Sequence, residues 1–547
     1  MSDEPFKPGD LRSWLSRSES MTPAFESFLS GKRWFAGKAE TVRSVEVTEC
    51  IPFEIPGAVL LLIQVRYQSA SEQSYALPLK TVALAERTSV EEGGPSRDLV
   101  IAPQSPEGVL SDALEDRAFA ELLLRIIRDR TEVVGAAGKL IGTAAGAIRD
   151  LLPASAGALK PSVLRAEQSN TSINYGGRLI LKFFRRPEEG INLDFETGRF
   201  LTEKAGFQHV PPVAGSLEYL REGRPPVTLA VLQGYVENRG DAWKYTLEML
   251  DAYLGRMESS KDAPPAALPE VESSGGLTAG EPPALARDVI GEYLSNAALL
   301  GRRTAELHLA LSSDTLDPEF APEPFTAPYR HELAREMNRF ADQARRLLRE
   351  RERSLDTASQ EKARFILAHW DVAFDGFQRL LERPITAERT RVHGDYHLGQ
   401  VLFTGTDFMI IDFEGEPERP LAERRAKHSP LRDVAGMLRS FHYAASTAVA
   451  RRAQTTGGSA RAPGHLRRFA RFWRDWVGAE FLRAYLETSR GAPFLPRDSG
   501  ALRALLDFLL VEKTTYELVY ELNNRPAWAP IPLDGLIELA ERAGVRD

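Results

Sequence analysis

The chain has 547 residues, too many for a single hydrophobic core, so two or three domains are expected. Hydrophobic residues make up 43% and charged residues 27%, the balance of a globular protein. The net charge of −8 argues against a nucleic-acid partner, and with Cys50 as the only cysteine there is neither an intrachain disulfide nor a cysteine metal cluster.

The N-terminus "MSDEPFKPGDLRSWL" lacks the basic-then-apolar order of a signal peptide, and runs such as "AVLLLIQV" (58–65) are too short to cross a bilayer. A cytoplasmic protein with no membrane association is expected. Residues 1–110 read as strand-rich, with β-branched and alternating segments separated by Pro and Gly. "SDALEDRAFAELLLRIIRDR" (111–130) has helical spacing, with Ser111 or Asp112 as the cap. Strand character returns from 163, is followed by the helix-compatible "INLDFETGRFLTEKAG", and ends in "TLAVLQGYVENRGDAW" (228–243), a strand running into a connector. Beyond 243 the pattern is almost entirely helical. The exception at 259–284 is rich in Pro, Gly, Ser and Glu, cannot form a core, and is expected to be a disordered insertion. The basic stretch 451–476 reads as loops and solvated helix faces.

A second exception is "RVHGDYHLGQVLFTGTDFMIIDFEGEP" (391–417), which interleaves carboxylates with buried-strand runs. Burying that much negative charge is costly unless a cation sits there, and a divalent metal is the simplest one. Asp395 stands five residues before Gln400, and Asp412 follows an apolar strand. Base, amide ligand and carboxylate ligand occur in this order in kinases, and hard oxygens suit Mg²⁺. Glu414 offers a further oxygen. A single Asp reads equally well as the cap of a turn or strand end; the ordered set argues for a site.

In "LILKFF" (179–184), Lys182 is the one charge in an apolar strand. It reads either as an edge lysine reaching solvent or as a lysine gripping nucleotide phosphates, oriented by Glu196 from a following helix. "EQSNTSINYGG" (167–177) offers Ser169, Asn170, Thr171 and Ser172 to cover phosphates between two strands. "VGAAGKLIGT" lacks P-loop spacing. His308 reads as a core histidine and His393 as a buttress of the loop carrying Asp395. Arg432 and Asp433 read as structural or as braces of that loop. Near the C-terminus, Tyr516 and Tyr520 are four apart, hence on one helical face, and read as core packing.

"HGDYHLGQVL", "IIDFEGEP", "RPLAERRAKHSPLRDVAGMLRSFHYAA", "YELNNRPAWAPIPL", "KRWFAGK" (32–38) and "EQSNTS" together resemble the bacterial maltokinase family, among the aminoglycoside-phosphotransferase-like kinases. The resemblance spans essentially the whole chain. It implies an α+β, bilobal protein-kinase-like fold with a β-rich cap over 1–110, a nucleotide-binding N-lobe or intermediate subdomain over 111–240, and a mostly α-helical C-lobe over 241–547. It implies phosphorylation of maltose to maltose 1-phosphate with ATP and Mg²⁺, feeding α-glucan (glycogen-like) synthesis. As partner expectations it gives association with a separate trehalose synthase and an otherwise monomeric chain. By position, Asp395 is the base, Gln400, Asp412 and Glu414 hold the metal, and Lys182 and Glu196 serve the phosphates. Gln233, Tyr235 and Val236 line the adenine site. Glu416, Tyr520, Asn524, Arg525 and Trp528 meet the sugar. Two other readings stand beside this one. A glucosamine kinase shares the "HGD" region but favours "DFDG" where this chain has Asp412-Phe413-Glu414-Gly415. A catalytically dead scaffold is opposed by the intact Lys182, Asp395 and Asp412.

Overall fold

The computed structural model describes residues 21–81, 99–100, 109–153, 159–164, 170–259, 281–371, 374, 384–417, 419–455 and 463–542. Ser169 and the greater part of the 259–284 stretch lie outside them. The fold is α+β, and the chain divides into two units. One contains the described residues up to Lys204 together with Val210–Glu237; the other contains Ala205–His209 and everything from Asn238 onward.

The first unit is built on two antiparallel sheets. Alternation in "SVEVTECI" turns Val45 and Val47 inward along β1 (Val42–Pro52). This strand pairs with β2 (Ala58–Tyr67), then β3 (Glu72–Thr81). The sheet is completed by β4 (Leu99–Val100) and β5 (Val109–Asp112), in the order β1-β2-β3-β5-β4. Helix α1 (Thr22–Ser30) buries Phe25, Phe28 and Leu29 in the same core as Trp34, Tyr75 and Leu61. Each such side chain contributes roughly 1.5–3 kcal/mol on burial.

Helix α2 (Arg117–Asp129) starts later than the sequence suggested. Its cap is Asp116, which accepts from the Phe119 N–H at 2.9 Å, while Asp112 caps a short preceding turn through the Leu114 N–H. Both acids are good caps, and the chain uses both in succession.

The second sheet runs β6 (Glu132–Val134), β7 (Lys139–Ala144), β11 (Val213–Leu220), β12 (Val227–Gly234), β10 (Leu179–Phe184), β9 (Asn170–Tyr175), β8 (Pro161–Leu164). Two buried charges join the sheets. Glu49 accepts from the Ala136 and Ala137 N–H groups at 2.7 and 3.1 Å and from Tyr219 Oη at 2.6 Å. Arg185, 2% exposed, donates to Asp112 at 2.6 Å and Thr171 at 2.9 Å.

The second unit is mainly helical. Helices α4 (Ala242–Ser259), α5 (Glu292–Leu311), α6 (Ala327–Arg351), α7 (Thr357–Ala368), α8 (Leu431–Thr455), α9 (Pro463–Thr488), α10 (Ser499–Asn524) and α11 (Pro530–Arg542) carry it. α5 packs on α9, α8 on α9 and α10, and α10 on α6 and α11. Two short antiparallel pairs interrupt them: β13 (Glu323–Pro324) with the distant β14 (Glu388–Arg389), and the hairpin of β15 (Val401–Phe403) with β16 (Phe408–Ile410). Among the described residues, no helix is long and apolar enough to cross a membrane.

Candidate active site

In the second unit the segment 393–398 is fixed from below by two helices. On α8, Asp433, Gly436 and Ser440 share one face by their spacing. Asp433 accepts from the His393 N–H at 2.8 Å and the Gly394 N–H at 3.0 Å. Ser440 Oγ accepts from the Leu398 N–H at 3.1 Å. A Cβ at Gly436 would lie 2.6 Å from the Tyr396 carbonyl oxygen, so only glycine permits this approach. Gly394 itself adopts φ +87°, a left-handed conformation that turns the chain between His393 and Asp395.

On α5, Thr304 and His308 lie one turn apart and support the same loop. Thr304 Oγ1 meets Tyr396 Oη at 2.9 Å, and His308 Nε2 meets Asp433 Oδ2 at 3.0 Å. His308 Nδ1 is 3.0 Å from Tyr485 Oη. Burial pushes the Asp433 carboxyl up, but the His308 contact and the loop N–H groups outweigh it and hold the carboxyl below its usual range. His308 therefore belongs to a polar network, beyond the simple core role expected for it. Asp433 takes the bracing role, the second of the two expected for it. His393 fits its buttressing role: Nε2 donates to the Ile411 carbonyl at 2.9 Å and Nδ1 accepts from the Asp395 N–H at 3.4 Å.

The β15–β16 hairpin brings Gln400 beside Asp412. Val401 pairs with Ile410, the Ile411 N–H donates to the Gln400 carbonyl at 3.0 Å, and Gln400 Nε2 donates to Asp412 Oδ2 at 2.9 Å. The turn is tied down where Arg303 forks onto Asp407 at 2.8 and 2.9 Å. Asp412 sits at φ +68°, which few non-glycine residues adopt outside functional or turn sites. An amide, a carboxylate and Glu414 two residues on make a hard-oxygen donor set that fits Mg²⁺.

Beyond Asp395 the structure places a residue that the sequence reading did not single out. Lys513 Nζ on α10 lies 2.8 Å from Glu416 Oε1 and 3.6 Å from Asp395 Oδ1. Burial lowers the Lys513 pKa, but Glu416 and Asp395 raise it further, so the ammonium stays charged. Glu416, expected at the sugar, accepts from Arg419 Nε at 2.7 Å through its second oxygen. Although burial disfavours its charge, Lys513 and Arg419 lower its pKa to about 2. That engagement makes Glu416 the anchor of Lys513.

From Lys513 an aromatic strip continues along α10. Lys513 lies over the Tyr516 ring, Tyr516 stacks near Tyr520 with centroids 6.5 Å apart, and Arg525 lies over both Tyr520 and Trp528. Trp528 stacks on Tyr443 at 6.2 Å. Arg525 is held by Glu521 at 2.7 Å, and Asn524 Nδ2 donates to the Tyr520 carbonyl at 3.0 Å. Tyr520 and Trp528 are half-buried, whereas Asn524 and Arg525 are exposed.

In the first unit Lys182 stands on β10 opposite Val231 and Ser172. The carboxylate meeting it at 3.4 Å is Asp194 on α3 (Leu193–Arg199), a helix capped by Asn192, with Glu196 two residues further along. Asn170, Thr171 and Ser172 are rungs of β9 rather than parts of a loop, because "NTSINY" carries β-branched and alternating residues. Ser172, 1% exposed and flanked by Leu164 and Lys182, is packed in the sheet. This corrects the expectation that Ser172 covers phosphates. Thr171 Oγ1 accepts from Arg185. Gln233 ends β12 opposite Ile180 and Val213; the Tyr235 N–H donates to the Arg178 carbonyl at 2.8 Å, and Val236 follows.

Residues 28–116 match the maltokinase N-terminal cap domain and residues 279–470 match the phosphotransferase enzyme family. A glucosamine kinase of Streptacidiphilus jiangxiensis is 26% identical over 378 residues, 68% of this chain and 72% of that one. A glucosamine kinase of Mycolicibacterium smegmatis is 35% identical over 141 residues, 26% of this chain and 32% of that one. Among solved structures, a glucosamine kinase in complex with glucosamine, ADP and inorganic phosphate aligns with a TM-score of 0.58 at 20% identity, covering 94% of this chain and 98% of that one. A second crystal form of a glucosamine kinase gives 0.60 at 20% identity, with 96% and 99% covered. At this identity the structures speak for the fold. The aromatic strip of α10 lies outside both matched segments. Taken with the clasped Asp395 loop, these matches identify a phosphotransferase: the chain belongs to the aminoglycoside-phosphotransferase-like kinases that carry a maltokinase-type N-terminal cap.

Proposed function

We propose that this protein transfers the γ-phosphoryl group of ATP to the anomeric hydroxyl of maltose, giving maltose 1-phosphate for α-glucan assembly. The single observation that carries the reading is the Asp395 loop, whose backbone is fixed by Asp433 while Gln400 and Asp412 sit together at 2.9 Å on the adjoining hairpin. Asp395 accepts the hydroxyl proton as that oxygen attacks the γ-phosphorus and ADP leaves. Gln400, Asp412 and Glu414 would hold Mg²⁺, which when bound neutralises charge on the phosphates. Lys182, kept in place by Asp194 with Glu196 on the same helix, grips phosphate oxygens, and the β12 end at Gln233, Tyr235 and Val236 takes the adenine. Tyr520 and Trp528 offer apolar faces to a disaccharide, and Asn524 and Arg525 offer polar edges. The maltokinase-type cap supports maltose as acceptor.

A second reading, phosphorylation of glucosamine, is favoured by the names of the relatives. ATP turnover against maltose, glucose, glucosamine and trehalose separates the two, with ³¹P NMR of the product. An anomeric phosphate on a disaccharide is expected. A 6-phosphate, or faster turnover of glucosamine than of maltose, overturns the maltose assignment.

A further inference from the structure

Beside Gly394 a recess is lined by Glu416, Arg419, Arg432, Glu512, Lys513 and Tyr516. The carboxylates around it are already matched by fixed cations or donors. Glu416 binds both Lys513 and Arg419, Glu512 pairs with Arg432, and Asp433 is engaged by His308 and two loop N–H groups. The pattern continues up α10, where Glu517 pairs with Arg439 at 2.7 Å and Glu521 with Arg525 at 2.7 Å. The aromatic faces carry cations as well: Lys513 over Tyr516, Arg525 over Tyr520 and Trp528, Arg439 over Tyr443. Seating a cationic acceptor here means displacing one of these cations from a paired carboxylate or a ring face. A neutral polyol meets no such competition and finds donors in the same groups. Lys513 is the cation nearest the chemistry, 3.6 Å from Asp395 Oδ1.

We infer that Lys513 is a positioning and specificity-determining residue: it fixes the acceptor side of Asp395 and makes the site select uncharged, hydroxyl-rich sugars over amine-bearing ones. The inference rests on the sugar-kinase reading above, and it assigns to one side chain a choice that the relatives' names leave open.

The test uses the full chain with saturating Mg²⁺-ATP, at a pH where the amino sugar is protonated. kcat/KM is measured for maltose and for glucosamine in wild type, Lys513→Met and Lys513→Arg. The maltose-to-glucosamine ratio is expected to fall roughly ten- to hundredfold in Lys513→Met, because a like charge close to the acceptor is removed. It should stay within about threefold of wild type in Lys513→Arg, which keeps the charge. An equal loss for both sugars in Lys513→Met, leaving the ratio unchanged, overturns the inference and leaves Lys513 a packing residue. If Lys513→Met does not fold, Lys513→Gln, which retains a donor toward Glu416, reads the same ratio. Wild type preferring glucosamine overturns both the maltose assignment and the selection for uncharged sugars assigned to Lys513, whereas an unchanged ratio in a maltose-preferring enzyme overturns the inference alone. Turnover of neither sugar removes both.

Discussion

Around Asp395 the backbone itself is held. Two N–H groups end on Asp433, a third on Ser440, and Gly436 lets α8 touch the loop. Around Trp528 the backbone makes only local turn bonds, such as the Trp528 N–H to the Arg525 carbonyl at 2.8 Å, and the long-range contacts come from side chains: Arg525 between two rings, Tyr443 stacked behind, and Glu521 holding the guanidinium. The first end is mostly buried and the second half-exposed or exposed. A buried clasp leaves little freedom, which suits a group that must meet a reacting hydroxyl in one geometry. Stacked faces tolerate small displacements, which suits the holding of a ligand. The difference predicts separate consequences for turnover and for affinity.

The largest effect is expected at the chemical end. Asp395→Asn should lower kcat roughly 10²–10⁴-fold, about 3–5.5 kcal/mol of barrier, while calorimetry shows Mg²⁺-ATP binding retained. Asp412→Ala should remove metal-dependent nucleotide binding and turnover together, and unchanged affinity in the same titration would take this residue out of the donor set. Next comes Asp433→Ala, which orphans two buried N–H groups and the His308 contact. A loss of about 3–5 kcal/mol in urea unfolding is expected, with kcat falling as the loop loosens. A merely local effect on stability, with kcat unchanged, would break the link between clasp and catalysis.

Between the two ends, Glu416 gives a pH signature. Its pKa falls from 4.5 in the unfolded chain to about 2 in the fold, through Lys513 and Arg419 against the penalty of burial. A depressed carboxyl stabilises the fold fully above its unfolded value and loses that contribution as pH falls through the folded one. Glu416→Gln should therefore flatten the stability profile between about pH 4.5 and pH 2, measured by thermal melting at stepped pH. A profile parallel to wild type in that window would show that the pair with Lys513 does not persist in solution.

The motif-bearing part of the site was legible because its residues are close in sequence. Asp395, Gln400 and Asp412 fall within one short stretch, and their order alone suggested an assembled loop. What was not legible depends on partners far along the chain. His308 looked like a core residue because Asp433 lies 125 residues away. Lys513 was passed over because its meaning comes from Glu416, 97 residues earlier. Asp194 was passed over beside Glu196, because both acids stand on α3 and the fold is needed to show that Asp194 meets Lys182. Strand and helix types were largely readable from periodicity; the misjudged segment, 170–172, failed because Ser, Asn and Thr suit both hairpin loops and strands.

The smallest expected effect belongs to the aromatic end, where Trp528→Ala removes one stacked face worth ~0.5–1.5 kcal/mol, a several-fold rise in KM. The most direct test of the division between a fixed catalytic end and a ligand-holding aromatic end is one steady-state maltose titration run side by side on wild type, Asp395→Asn and Trp528→Ala. Asp395→Asn should lose kcat with little change in KM, and Trp528→Ala should raise KM for maltose with kcat and the KM for ATP nearly unchanged. Loss of kcat in Trp528→Ala without a change in KM, or near-wild-type kcat in Asp395→Asn, would contradict it.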